Sequence, residues 1–291
     1  MVWGSSKMTE QLIEKIESVE KKKEKERHMG KKEAIRSSVA LKIYRGNRLA
    51  DEKAHYDTIE VPVQRWTTVL DALLYAKAYK DQSIAIRYSC RMASCGSCGM
   101  KINGIPRLAC YTKVSELDGN TITVEPLANF PLIRDLVTDF TQFFSHHHDV
   151  NPFIQNKDAD IVDRAKLTEF IQNAEDLDKF LQFSYCIKCG LCYSACPTVA
   201  TDTKFPGPQA LSQAYRYFID NRDTAVKDRL NLVDDRHGIW RCHFAGSCSA
   251  VCPKGVDPAL GIQLLRGHLL GYSKNEKKTA EQRDRLRKVK D

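Results

Sequence analysis

One cysteine frame, written twice in the same spacing, constrains this chain more than any other feature. The first is Cys186-Ile-Lys-Cys189-Gly-Leu-Cys192-Tyr-Ser-Ala-Cys196-Pro197, and the second is Cys242-His-Phe-Ala245-Gly-Ser-Cys248-Ser-Ala-Val-Cys252-Pro253. Counted from the leading cysteine, both place a residue of interest at +3, +6 and +10, with proline next. The second frame carries Ala245 where the first carries Cys189. A C-x2-C-x2-C-x3-C-P run is a bacterial-type iron–sulfur signature, in which the fourth cysteine binds the other cluster of the pair.

Exchanging the last cysteines accounts for every thiol in the two frames. Cys186, Cys189, Cys192 and Cys252 form a four-thiolate set suited to [4Fe–4S]. Cys196, Cys242 and Cys248 form a three-thiolate set, because the methyl group of Ala245 cannot coordinate. A cuboidal cluster short of one corner iron, [3Fe–4S], suits three ligands. A [4Fe–4S] cluster with one iron open to substrate is the alternative, but no substrate site accompanies it. Each proline removes an N–H and bends the chain away from the cluster.

A third motif lies upstream: Cys90-x4-Cys95-x2-Cys98-x11-Cys110. This is plant-type ferredoxin spacing and predicts [2Fe–2S]. Gly96 and Gly99 let the backbone wrap closely and turn N–H groups toward the sulfurs. Structural zinc usually asks for two C-x2-C knuckles or histidine; here there is one knuckle and no neighbouring histidine. The three sets use all eleven cysteines. A disulfide framework belongs to small secreted domains, and an odd number of cysteines cannot pair completely. No phosphate-loop, Ser-His-Asp or dinucleotide-fold signature is present, so the chain is expected to carry electrons rather than oxidise a substrate itself.

The 291 residues suit two domains. No apolar run reaches the length that spans a bilayer. The N-terminal stretch lacks an apolar core and is too acidic for a secretory or transit peptide, which predicts an intracellular protein. The net charge of +8 is concentrated toward the ends, in Lys21-Lys22-Lys23, Lys31-Lys32 and Lys274 to Lys290. Acids are interspersed, so these read as solvated tails. No aromatic–basic interleaving accompanies them, which argues against nucleic acid as a partner.

Residues 1–37 read as a charged extension, with one short helical stripe through Met8, Leu12, Ile13, Ile16 and Val19. Residues 38–128 read as the [2Fe–2S] domain. Strands are predicted at Val39–Tyr44, Thr58–Val63, Ile84–Tyr88 and Thr121–Glu125, with a tight turn at Asn103-Gly104. A helix capped by Thr67 or Thr68 runs to about Lys80. Residues 129–159 read as a linker with a helix over Leu132–Phe144, followed by a solvated or interfacial run, His146-His147-His148. Residues 160–272 form a helical domain, with helices over Thr168–Phe183, Gln209–Asp220, Asp223–Leu232 and Pro258–Leu270. Residues 273–291 are a charged tail. The fold class is α+β.

The ordered set of three motifs closely resembles the iron–sulfur subunit of succinate dehydrogenase and fumarate reductase. Arg91-Met-Ala-Ser-Cys95-Gly-Ser-Cys98-Gly99, Gly207-Pro208 with Ala214-Tyr-Arg-Tyr217 and Asp220-Asn-Arg-Asp223, and Cys252-Pro-Lys-Gly-Val-Asp-Pro258 also look like that family. The resemblance covers about residues 39–270. It implies an N-terminal β-grasp ferredoxin domain followed by an all-α bacterial-ferredoxin-like domain. It also implies a flavoprotein partner with covalent FAD, membrane anchor subunits, and a quinone near the [3Fe–4S] cluster. The protein would then sit peripherally on the cytoplasmic side of the cell membrane, held by its anchors. Pro197 and Thr198 match a Pro-Ser pair on the quinone side. His243 matches a histidine of succinate dehydrogenases, and Arg266 a basic residue of some fumarate reductases. Ordinary roles, a helix-end histidine and a surface cation, stand beside those two readings.

The segment Val199-Ala-Thr-Asp-Thr203 lacks the tryptophan that follows Cys-Pro in many ubiquinone-linked relatives. Gly238–Cys242 and Ser249–Pro253 look more like fumarate reductase. Succinate oxidation with quinone reduction is the expected function, with quinol:fumarate reduction as its alternative. A soluble iron–sulfur subunit of another flavoenzyme and a zinc-binding interaction protein are the rival classes.

Overall fold

The computed structural model describes residues 37–48, 52–156 and 171–271. The stripe from Met8 to Val19, the 159/160 boundary, the start of the helix predicted from Thr168, and both charged tails lie outside the described residues.

The first half is a seven-stranded sheet with one helix on its face. Strand β1, Ser38–Asn47, puts Val39, Leu41 and Ile43 on one buried face, the period of two that its sequence announces. It pairs antiparallel with β2, Glu52–Pro62, and parallel with β5, Thr121–Glu125. Strands β3, Gly99–Ile102, and β4, Ile105–Leu108, form a hairpin. Its turn residues Asn103 and Gly104 both take positive φ, 47° and 82°, as the tight hairpin turn requires. Helix α1, Val69–Tyr79, starts at Thr68, whose hydroxyl accepts from Asp71 N–H while Asp71 accepts from Thr68 N–H. This reciprocal cap and the apolar face Val69, Leu70, Leu73 and Ala76 fix the helix on the sheet.

Two predicted elements do not form. Ile84–Tyr88 is not a strand. Ile84 is fully buried, but its carbonyl accepts from Lys77 Nζ at 2.6 Å, and Ala85 N–H donates to Asp135 Oδ2 at 2.8 Å. Side chains thus satisfy backbone groups that a ladder would have used. The helix predicted over Leu132–Phe144 is replaced by strands β6, Leu132–Arg134, and β7, Val137–Thr138, and only then by helix α2, Thr141–Asp149. The reason is Asp135, 2% exposed, which takes positive φ and accepts from Arg45 Nε and Gly46 N–H. A tertiary anchor overrides the local helical pattern. β6 joins the edge of the sheet through Asn47, so part of the 129–159 stretch belongs to that sheet.

The second half is helical: α3, Ala174–Ser184; α4, Leu191–Ser194; α5, Pro197–Thr201; α6, Gly207–Phe218; α7, Val226–Val233; α8, Ser247–Ala250; and α9, Pro258–Leu269. Helix α6 is its hub, packed on α9, α3, α2 and α7. Its residues from Gly207 to Tyr215 are all buried. Arg229, 2% exposed, donates to Asp223 and to the carbonyls of Val150, Asn151 and Phe153, tying the connecting segment to α7. Phe130 and Phe140 stack with centroids 4.4 Å apart and touch the cores of both halves.

Candidate iron–sulfur centres

The loop from Cys90 to Cys98 curls tightly. Arg91, Ala93 and Gly96 take φ of 56°, 58° and 76°, and the peptide N–H groups turn inward. Met92, Ser94 and Cys95 donate to Cys90 Sγ at 3.4, 3.3 and 3.3 Å. Ala93 donates to Cys110 Sγ at 3.3 Å, and Cys110 to Cys98 Sγ at 3.4 Å. Cys98 precedes β3 and Cys110 follows β4, so the hairpin brings its two ends together. Such a nest of N–H groups stabilises anionic sulfur. Hydrogen bonding, first from Ser97, draws the Cys95 thiol down to about 6. Burial pushes Cys98 up to about 12.

The two frames fold alike. At +2 and +4 from each leading cysteine, Lys188 and Gly190 have φ of 54° and 77°, and Phe244 and Gly246 have 54° and 73°. Short helices α4 and α8 follow at matching positions. Cys186, Cys189, Cys192 and Cys252 line one cavity of about 380 Å³, with Gln209 and Ser212 of α6 among its walls. Cys196, Cys242 and Cys248 line a second of about 320 Å³. Ala245, Pro197 and Thr198 face the second cavity as well. Each frame therefore sends its last cysteine into the cavity of the other.

Cys196 and Cys248 are buried and the other thiols of the frames half-buried; desolvation raises Cys189 and Cys248 to about 11, Cys192 well above the ordinary range, and Cys186 and Cys196 upward. Thiolate forms only when metal displaces the proton. Among the described residues no three His, Cys, Asp or Glu side chains could share one metal ion. Thiolates around a polynuclear cluster bind different irons, so they stand further apart. An all-thiol donor set lining each cavity and N–H groups aimed at sulfur together fit iron–sulfur clusters.

The three centres adjoin in order. A Cβ added at Gly96 would lie 2.7 Å from Cys189 Cβ, so the first loop rests on a cysteine of the second set. Cys192 and Cys248 are close enough for each thiolate charge to oppose the other, which helps to raise Cys192. Asn129, with φ of 64°, donates to the carbonyls of Tyr193, Ser194 and Cys196 and holds the end of the first frame.

The remaining predicted residues gather round the third centre. Thr198 is buried, and its N–H and hydroxyl act on the Cys196 sulfur. Pro197 and His243 are exposed. Arg266 donates to the carbonyls of Ile239 and Cys242 at 2.7 and 2.6 Å and lies over the Trp240 ring. It is thus a clamp on the second frame, not a free surface cation. The histidine run lies on α2. His147 meets Gln209 at 3.2 Å, and burial lowers it to about 4; His148 is exposed. Sequence reasoning missed Gln209, Ser212 and Asn129. The first two share a helix face three residues apart, a faint signal inside a buried helix; Asn129 gave none beyond its loop.

Residues 40–145 match the family described as 2Fe-2S iron-sulfur cluster binding domain, and residues 182–256 match the 4Fe-4S dicluster domain. The chain is 42% identical over 229 residues to the fumarate reductase iron-sulfur subunit of Haemophilus influenzae, covering 76% of this chain and 89% of that one. It is 45% identical over 208 residues to the fumarate reductase iron-sulfur subunit of Mycobacterium tuberculosis, covering 72% and 83%. It is 35% identical over 242 residues to the mitochondrial succinate dehydrogenase [ubiquinone] iron-sulfur subunit of Dictyostelium discoideum, covering 81% and 83%. A chain of the Mycobacterium smegmatis Sdh1 complex in the apo form superposes with a TM-score of 0.73 at 26% identity, covering 81% of this chain and 97% of that one. The chain belongs to the iron–sulfur subunit family of fumarate reductase and succinate dehydrogenase, and is an electron-transfer subunit of that oxidoreductase.

Proposed function

We propose that this chain relays electrons between an FAD-bearing flavoprotein subunit and a membrane quinone in a succinate:quinone oxidoreductase. Cys90, Cys95, Cys98 and Cys110 hold [2Fe–2S]; Cys186, Cys189, Cys192 and Cys252 hold [4Fe–4S]; Cys196, Cys242 and Cys248 hold [3Fe–4S]. When bound, these groups supply one-electron redox steps at successive sites. The chain's own residues do the rest. Thiolates fix each position, and inward N–H groups stabilise added negative charge. The observation that carries this reading is the pairing of cavities, each drawing thiols from both frames, with Ala245 facing the smaller. The two halves are read as a β-grasp ferredoxin domain, which extends past residue 128 to include β6 and β7, and a bacterial-ferredoxin-like helical domain.

Pro197, Thr198, His243 and Arg266 mark the quinone side, Arg266 acting through the loop it clamps. Among the described residues no helix is long and apolar enough to cross a membrane, so anchor subunits are proposed to hold the protein at the membrane, on its cytoplasmic side. Quinol:fumarate reduction is the second reading. The fumarate reductase names of several relatives and the missing tryptophan at 199–203 favour it.

Iron analysis with EPR tests the cluster assignment. We expect about nine irons per chain from the three cluster types, a [3Fe–4S] signal in the oxidised protein and a [2Fe–2S] signal on reduction. A fully iron-loaded, oxidised protein without the first signal overturns the three-thiolate assignment. A colourless, zinc-rich protein would instead be the structural alternative. Comparing succinate–quinone with quinol–fumarate turnover in the assembled complex decides the direction.

A further inference from the structure

Helix α6 sends two polar side chains into the cavity of the second centre. Gln209 and Ser212 stand three residues apart and share that face. They are 2% and 0% exposed. Gln209 is engaged with His147 and lies on the Cys186 sulfur. Ser212 is not engaged: its Oγ is buried and has no hydrogen-bond partner among the described residues. A mid-helix serine commonly turns its hydroxyl back to the carbonyl four residues earlier, here that of Pro208. This one does not. An unmade hydroxyl in a closed interior is costly, and alanine would fill the same place without that cost. Nor has α6 room to roll. Helix α9 presses closely against it: a Cβ added at Gly261 would meet Phe183 at 2.9 Å and Ser212 Cα at 3.4 Å.

We infer that Ser212 donates its hydroxyl hydrogen to a sulfur of the cluster held by Cys186, Cys189, Cys192 and Cys252, and so raises the reduction potential of that cluster. The inference rests on the ligand assignment proposed above. Reduction adds one negative charge to a cluster, and a donor fixed at its sulfur stabilises the more negative state more strongly. Removing the donor therefore lowers the potential.

The test uses the full chain in its assembled complex, with Ser212→Ala and Ser212→Thr compared with wild type by EPR-monitored redox titration. Hyperfine spectra of the reduced cluster in H2O and D2O follow its exchangeable protons. In Ser212→Ala we expect the [4Fe–4S] midpoint to fall, the other two midpoints to stay, and one exchangeable-proton coupling to vanish. Ser212→Thr, which keeps a hydroxyl, should return the [4Fe–4S] midpoint and the lost coupling toward wild type. A loaded Ser212→Ala protein with an unmoved midpoint and every coupling intact overturns the inference and leaves the ligand assignment standing. A wild-type protein with no [4Fe–4S] signal overturns both. A wild-type cluster without any exchangeable-proton coupling overturns the inference whether or not the alanine variant folds.

Discussion

Ala245 does the most with the fewest atoms. The backbone around it repeats that around Cys189, with the same pair of left-handed residues one step to either side, and it faces the cavity shared by Cys196, Cys242 and Cys248. A thiol at this position would complete a four-ligand set. Replacing Ala245 with Cys should convert the third centre toward [4Fe–4S]. The oxidised EPR signal would shrink, iron would rise toward one more per chain, and the added thiolate charge would lower the potential. An unchanged oxidised signal in a loaded variant would mean that residue 245 does not face the open corner. Arg229 is the corresponding residue for stability. Its guanidinium is 2% exposed and meets Asp223 at 2.6 Å. Arg229→Met would leave a buried carboxylate and several backbone carbonyls without their donor, costing roughly 3–5 kcal/mol. Denaturant unfolding of the loaded chain measures this, and adding Asp223→Asn should recover part of the loss.

At the scale of elements, the contact between the first loop and the first frame decides whether the centres communicate. Gly96 has φ of 76° and its α-carbon faces Cys189, with no room for a methyl group. The obstacle includes the Cys189 backbone, 2.9 Å from an added Cβ, so it cannot swing aside. Gly96→Ala should cost about 1–2 kcal/mol in backbone strain alone. It should also slow electron transfer between the first two centres several-fold, with iron content unchanged. Freeze-quench EPR after rapid reduction reads that rate; an unaltered rate would place the transfer path elsewhere. The loop was legible because its spacing names its chemistry, and so was α1, whose Thr68–Asp71 cap is written locally. Strands β1 and β5 follow from simple alternation. The stretch 132–138 did not, because Asp135 acts on Arg45 and Ala85 far away in sequence, and no local pattern reports that. Ile84–Tyr88 alternates like a strand, yet its polar backbone is met by Lys77 and Asp135 side chains. At the sites, ligand spacing was visible and the supporting partners were not: Ser212, Gln209 and Asn129 matter through what they face after folding.

Over the whole molecule, the two halves differ in what holds them. The sheet half has an apolar core built from its own strands and α1, with Leu41, Ile43, Ile122 and Val124 fully buried; of its four cysteines Cys98 and Cys110 join that core, while Cys90 is half-buried and Cys95 exposed. The helical half instead wraps its core around the two frames: Cys196 lies within that core, and Cys186, Cys242 and Cys252 pack against it. Those frames are turns in left-handed conformations and helices of four residues each, too short to persist alone. Bound metal is therefore folding energy for the helical half more than for the sheet. Removing iron with an oxidant and chelator should expose the amides of α4, α6, α8 and α9 to hydrogen exchange while those of β1, β2 and β5 stay protected. Acid should favour the same loss. The thiols of Cys189 and Cys248 lie near 11 without metal, so loading releases protons and weakens as pH falls. If both halves exchange together once iron is gone, the contact through Leu191, Phe130 and Phe140 couples them into one cooperative unit, and the clusters staple the entire fold.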